Sequence, residues 1–399
     1  MLKHLQDFFY AVARPVVRVL NQKPSNVRHI LLAAEQSLTA EYLAEFWEIT
    51  RGDKRLRFFV TLQDCEQSPG DHARILARLP VTQVSRRTAN LRKWDLVVLA
   101  NHPGYFKRLA DPAQQPVLRI PHGVSGKSYK GVNYYYDPKY LYTPEGQPHY
   151  TCIFESSHVS RRAAIERDPR LRDQIVVVGN SRLDKISATM LERDSLRSSL
   201  GLASPRPVVL MASSWGPNCL FTRIGDELFQ QAQRLLNDYE IVLRPHPHLY
   251  NRNISQGKDW TAIFDRLVAL GFRVSPPDQS LAAIMASSDV AVVDDLTSVA
   301  IYAAATGMKT VLVRSNPSGA NQAGAQMGES TFADRLGQIV PTIDTAAELG
   351  TALQKACLSW PPPGLKSIQA EINGEPGRSA DLIRREVCRL LRLEEPSMT

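Results

Sequence analysis

Arg244-Pro245-His246-Pro247 sets a fixed positive charge beside a side chain that can gain or lose a proton near neutral pH. A guanidinium grips phosphate oxygens in a two-pronged fork, and imidazole titrates in the physiological range. The prolines exclude regular strand or helix through the motif and restrict the backbone around His246. The chemistry on offer is the holding of a phosphorylated group and the movement of a proton. A plain strand-to-helix turn with a capping histidine would use the same residue types.

Two further stretches carry reactive groups. Asp289 to Val299 reads as an apolar run that delivers Asp294 and Asp295, then Thr297 and Ser298 where a helix should start. Either hydroxyl can cap that helix, and its unpaired N–H groups and positive dipole end would attract an anion. Capping alone also accounts for these residues. Ile120-Pro121-His122-Gly123-Val124-Ser125-Gly126-Lys127-Ser128 admits two readings. Gly126-Lys127-Ser128 copies the end of a phosphate-cradling NTPase loop, but that loop needs glycine where this chain has Pro121. Asp294 would imitate the carboxylate that accompanies such a loop. The other reading takes His122-Gly123 as the unit, a histidine at a strand tip with a glycine that lets substrate come close. His246, from the opposite half, would then face it across a cleft.

Parallel strands are needed to position these residues. Glu240 to Leu243 is short, apolar and β-branched, as a covered parallel strand should be, and ligands sit at the carboxyl ends of such strands. Strands are expected at His29–Ala34, Arg57–Leu62, Leu96–Ala100, Val117–Ile120 and Ile175–Val178, with helices at Leu38–Thr50 and Asp71–Leu79 between them. A helix from about Lys185 to Leu200 follows, and the alternation restarts. Strands at Val208–Met211, Ile241–Leu243, Phe272–Ser275, Val290–Val293 and Thr310–Val313 are separated by helices at Ile224–Leu236, Trp260–Leu270, Leu281–Ala286 and Ser298–Ala305. Helices Asp344–Leu358 and Arg378–Leu391 close the chain. This pattern predicts an α/β protein of two doubly wound halves joined near residue 190, the layout of a two-domain cleft enzyme. The expected division is 1–26, 27–190, 191–375 and 376–399. In the first segment Leu2, Leu5, Phe9, Val12, Val16 and Val19 form one helical stripe with Lys3, Arg14 and Arg18 off it. Such a helix lies on an anionic membrane or packs on its own domain. The tyrosine-rich stretch Tyr134 to Tyr142 is expected to be irregular and is assigned no role.

Composition bounds the partners. Length 399 predicts two or three domains at ~150 residues each. Hydrophobic content of 43% and charged content of 22% are those of an ordinary globular protein. The net charge of +8 favours an anionic partner, with nucleic acid not expected among them. Five scattered cysteines without a Cys-x-x-Cys pair argue for a reducing, cytoplasmic compartment and against zinc. No run approaches the ~18 apolar residues of a membrane span.

Taken in order, these motifs resemble those of the CDP-glycerol glycerophosphotransferases, the polyol-phosphate polymerases of teichoic acid and capsule assembly. His122-Gly123, with basic Lys127 following, resembles the family's His-Gly motif. Gly179-Asn180-Ser181-Arg182-Leu183-Asp184 resembles its Gly-x-Pro-Arg-x-Asp motif, with Ser181 in place of proline. Ala212-Ser213-Ser214-Trp215 resembles Ala-Pro-Thr-Trp, Arg244 to Pro247 matches Arg-x-His-Pro, and Asp294 to Ser298 corresponds to Thr-Asp-Tyr-Ser-Ser, with Leu296 a departure. A closing Asp-Gly-x-Ala-Ser element is partly echoed by Pro376 to Ala380. The resemblance covers most of the chain after about residue 115. It implies a GT-B fold with the donor nucleotide in the C-terminal half and the acceptor in the N-terminal half. His122 and His246 would be catalytic, His122 as general base. Arg244, Asp295, Thr297, Ser298, Ser213 and Ser214 would hold the donor, and Gly123, Lys127, Arg182 and Asp184 would line the acceptor side. The implied reaction moves glycerol phosphate, or a related polyol phosphate, from a CDP donor to a lipid-linked or polymeric anionic acceptor, releasing CMP. It needs no cofactor, with a divalent metal left open, and would run at the inner face of the membrane. A GT-B sugar transferase or nucleotide-sugar 2-epimerase, and a non-catalytic CDP-polyol-binding protein, are the alternatives.

Overall fold

The computed structural model describes residues 26–395 except 36, 64–69, 122–135, 203, 251–254, 256, 277–278, 296, 316–331 and 373, together with 12–13 and 16–17. Those four N-terminal residues are helical, and Val12 and Val16 are exposed. The rest of the expected amphipathic helix lies outside the described residues.

The chain divides into two compact units, each built on a parallel sheet. In the first unit the strands are β1 (Arg28–Ala34), β2 (Leu56–Leu62), β3 (Thr82–Gln83), β4 (Leu96–Leu99), β5 (Val117–Arg119), β6 (Cys152–Glu155) and β7 (Ile175–Val177). Their order is β3-β2-β1-β4-β5-β6-β7. β1 shows why a continuous apolar run becomes a central strand. Ile30, Leu32 and Ala34 enter the core on one face of the sheet, and Leu31 and Ala33 enter a separate core on the other. A strand alternates its side chains between faces, so a sheet covered on both sides wants apolar residues at every position.

The second unit holds β8 (Val208–Ala212), β9 (Glu240–Arg244), β10 (Arg273–Val274), β11 (Val290–Asp294), β12 (Lys309–Val313) and β13 (Thr342–Ile343), in the order β10-β9-β8-β11-β12-β13. In both sheets the order reverses direction beside the first strand, between β1 and β4 and between β8 and β11. Such a switch point opens a crevice at the carboxyl ends of the strands.

The expected two doubly wound α/β halves are present, with several differences in detail. The helix expected over Lys185–Leu200 is two helices, Ser181–Thr189 and Arg193–Ser199, joined by a 3-10 turn at Met190–Glu192. The second helix brings Arg193 and Arg197 onto the Asp289 carboxylate, which also accepts the Val208 N–H at 2.7 Å. That ion cluster ties the helix to the starts of β8 and β11. The crossing between units falls between Ser181 and Arg182, earlier than the junction expected near residue 190. The helices Arg86–Leu91, His158–Arg167, Phe332–Ile339 and Leu365–Ile372, and the strands β3, β6 and β13, were not foreseen. Nor is the tyrosine-rich stretch wholly irregular: Pro138–Leu141 is a short helix capped by the Asp137 side chain, and Tyr136 is buried with its hydroxyl on Glu155.

The closing segment from Gly374 onward belongs to the first unit, where Ile383, Val387 and Leu391 of the helix Ser379–Leu391 join the core beneath β1. Gly179, at the turn after β7, has φ 78°. A Cβ there would stand 2.6 Å from Ser379 Oγ and 3.1 Å from the Glu375 carbonyl oxygen. Both the left-handed backbone and the close approach of the returning chain require glycine. Gly179→Ala is therefore expected to cost about 1–3 kcal/mol, read as a lower denaturant midpoint; an unchanged midpoint would contradict the close packing of this turn.

Candidate functional site

The carboxyl ends of β9, β8 and β11 lie side by side, because Ala212 pairs with Arg244 on one flank and with Val293 on the other. Each strand runs out into polar residues: Ser213 and Ser214 after β8, Arg244 at the end of β9 with His246 and His248 beyond it, and Asp294 at the end of β11 with Asp295, Thr297 and Ser298 beyond it. Apolar runs carry the three strands through the core, and the change to polar residues marks where the chain emerges at the switch point.

Asp294 holds this edge together. Its side chain is 0% exposed. One carboxylate oxygen, Oδ2, accepts the Ser214 N–H at 2.7 Å, the Leu220 N–H at 3.0 Å and the Ser213 hydroxyl at 3.4 Å. Ser213 Oγ in turn accepts the Phe221 N–H at 3.2 Å. A carboxylate is tolerated in a dry interior only when donors surround it, so the loop after β8 is wrapped onto the tip of β11. Ser213, expected to touch the donor, has its hydroxyl engaged in this scaffold. Ser214 is different: it is 7% exposed, and its Oγ has no hydrogen-bond partner among the described residues. A buried orphan hydroxyl at a strand tip is a place where a ligand atom would restore a lost hydrogen bond.

Arg244 is the last residue of β9, one position later than the expected end of that strand. One terminal nitrogen donates to Ser275 Oγ at 2.6 Å and to the Pro276 carbonyl at 2.7 Å, just beyond β10. These bonds fix the plane of the guanidinium. His246 follows, and its Nδ1 accepts the backbone N–H of His248 at 3.1 Å. With Nδ1 as acceptor, the neutral ring carries its hydrogen on Nε2. His246 is thereby set to donate to an oxyanion. Two rings that sequence reasoning did not assign complete the group. His248 lies 4.9 Å from His246, and Trp215, 44% exposed, lies 5.1 Å edge-on from His248 and 6.3 Å from His246. The spacing of two histidines around one proline was the available signal for His248.

On the β11 side, Thr297 caps the helix Ser298–Thr306, its hydroxyl accepting the Val299 N–H at 3.3 Å. Ser298 is the first residue of that helix. Asp295 accepts the Ser315 N–H at 3.1 Å. Burial pushes its carboxyl above the ordinary aspartate range, the neighbouring Asp294 charge adds to this, and the Ser315 hydrogen bond partly offsets it.

Of the other expected residues, His122, Gly123 and Lys127 lie outside the described residues. Arg182 and Asp184 are on the first turn of the helix Ser181–Thr189, not on the three strand ends. Among the described residues no group of three His, Cys, Asp or Glu could hold a metal ion, and no helix is long and apolar enough to cross a membrane.

No family model and no curated protein matches the sequence. Solved structures do match in shape. The wall teichoic acid polymerase TagF, in a crystal soaked with CDPG, superimposes with a TM-score of 0.57 at 15% identity, covering 98% of this chain and 97% of that one. The UDP-GlcNAc 2-epimerase of Neisseria meningitidis bound to UDP-GlcNAc gives a TM-score of 0.57 at 13% identity, covering 91% and 100%. MnaA of S. aureus with UDP gives 0.55 at 14%, covering 94% and 100%. The chain has the two-unit α/β fold of these GT-B proteins.

Two substitutions probe the edge. Asp294→Ala removes the common acceptor of two buried N–H groups, so it should lower stability by about 2–4 kcal/mol in chemical denaturation; a loss under about 0.5 kcal/mol would deny it the scaffold role. Asp295 has a raised folded-state value, so its contribution is full below the unfolded value of 3.8 and is lost as pH rises through the folded value. Asp295→Asn should therefore gain stability relative to wild type as the pH rises above the unfolded aspartate value, and a pH-independent difference would contradict the shift.

Proposed function

We propose that this chain is a transferase acting on a nucleotide-linked donor, and that the donor is CDP-glycerol or a similar CDP-polyol. The observation that carries the reading is the convergence at the switch point of the second unit. A pinned guanidinium (Arg244), an imidazole set to donate from Nε2 (His246), a buried orphan hydroxyl (Ser214) and a helix start (Thr297–Ser298) share one edge. All four are donors suited to phosphate oxygens. Phosphoryl transfer needs mostly positioning and charge neutralisation, which this set supplies. The fold likeness to TagF, whose crystal was soaked with CDPG, supports the choice of donor.

In the proposed reaction an acceptor hydroxyl oxygen bonds to the phosphorus that bears glycerol. The bond from that phosphorus to the bridging oxygen breaks, its electron pair leaves with CMP, and the hydroxyl proton passes to a base, for which His122 is proposed. Arg244 and the N–H groups at Ser298 neutralise the diphosphate. His246 donates to an oxygen of the transferring group, where charge accumulates. Asp295 is proposed to orient these groups, and Lys127, Arg182 and Asp184 to bind the anionic acceptor. A lipid-linked or polymeric acceptor of the cell envelope, met at the inner membrane face, fits the net charge of +8.

The epimerase likeness keeps a second reading in view, a GT-B enzyme acting on a nucleotide sugar. A screen of CDP-, UDP- and CMP-activated donors for thermal stabilisation, followed by product analysis, separates the readings: CMP release supports polyol-phosphate transfer, a nucleoside diphosphate supports sugar chemistry, and binding without turnover supports a binding protein. His246→Ala should stay folded and lose about 10²–10⁴-fold in turnover; near-full activity on the preferred donor would remove His246 from the mechanism.

A further inference from the structure

The first unit has its own switch point, between β1 and β4. Glu35 directly follows β1, is 8% exposed, and stands where the apolar strand ends. Asn101, shortly after β4, donates from Nδ2 to Glu35 Oε2 at 3.1 Å. With its nitrogen so engaged, Asn101 Oδ1 is buried and has no partner among the described residues. Gly104 lies against Glu35 Oε1, at φ 41°, in a space that a Cβ would fill. The next residue, Tyr105, is 61% exposed. His102, the next residue after Asn101, is buried and stacked on Tyr140 at 4.3 Å between ring centroids.

A carboxylate and an amide oxygen are both acceptors, and an orphan acceptor in a buried crevice calls for a ligand that donates. Two acceptors joined through the Glu35–Asn101 hydrogen bond match two donors on adjacent atoms. An exposed aromatic ring beside them gives the ligand's carbon skeleton an apolar face to lie against.

We propose that the β1–β4 switch point binds a vicinal diol, its two hydroxyls donating to Glu35 and to Asn101 Oδ1, with Tyr105 flanking its carbons. Identifying that diol as the hydroxyl-bearing end of the acceptor rests on the transfer reading above; the diol site itself does not. Burial raises the Glu35 carboxyl above its ordinary range, against the Asn101 and Tyr105 N–H bonds that lower it, which accords with a crevice that keeps out bulk water.

The test uses the full chain and saturation-transfer NMR with 3-methoxypropane-1,2-diol, against 1,2,3-trimethoxypropane, which has the same skeleton and no hydroxyl donor. Wild type should show contact with the diol only. Glu35→Gln should weaken diol binding about tenfold or more, the loss expected when a charged acceptor is removed, and leave the CDP-glycerol dissociation constant unchanged. Tyr105→Ala, at a surface position that does not endanger folding, should weaken the same signal, so the inference stays testable if Glu35→Gln fails to fold. In turnover assays Glu35→Gln should raise the acceptor KM and leave the donor KM in place. Equal signals from both probes, or a diol signal indifferent to both substitutions, would overturn the diol site. A chain that binds the diol through Glu35 yet ignores CDP-glycerol would leave the site standing and sink the transfer reading. A chain that binds CDP-glycerol but not the diol would do the opposite.

Discussion

A buried negative charge that must be surrounded by donors organises the second unit. The Asp294 carboxylate sits where solvent does not reach, and one oxygen gathers the Ser214 and Leu220 N–H groups and the Ser213 hydroxyl. Without such donors the ion would be prohibitively costly in a dry interior. Satisfying it forces the chain after β8 to fold back over the tip of β11, and that fold-back places Ser214 and Trp215 beside the residues that follow β9. The polar edge of the sheet is thus a consequence of one electrostatic requirement, with Ser275 fixing the guanidinium from the opposite flank.

The two switch points differ chemically. At the ends of β8, β9 and β11 the Asp294 carboxylate is consumed by backbone and serine donors, and Arg244, His246 and Ser214 are set around it. At the ends of β1 and β4 Glu35 and Asn101 Oδ1 are acceptors. One topology, repeated in two sheets, thus carries different residue types just past the last apolar position of its strands.

Much of this was legible in the chain because parallel strands covered on both faces are written as unbroken apolar runs. β1, β2, β8, β9 and β11 were placed within a residue or two by that signal. β3 and β13, two residues each, are too short to carry a period, and Cys152–Glu155 is only four residues long and ends in a charged residue. The break at Met190–Glu192 was not visible in the sequence, where the partner that holds the second helix, Asp289, lies about a hundred residues away. At the site, residue types were legible but their employment was not. Ser213 and Thr297 are the hydroxyls a phosphate site would use, yet each serves the backbone, and only coordinates show it. Glu35, in Ala34-Glu35-Gln36-Ser37, reads as the polar start of a helix, and nothing local discloses its partnership with Asn101, 66 residues on.

The return of the chain to the first unit has a bearing on how the protein is made. Ile383, Val387 and Leu391 complete the core beneath β1, and they leave the ribosome only after the whole of the second unit. Synthesis at ~5–20 residues per second leaves this face of the first sheet, already packed by Leu43, Phe46 and Ile75, without its last helix for tens of seconds while the second unit is made. The unit encoded first therefore has a core whose last side chains are supplied after the second unit's residues.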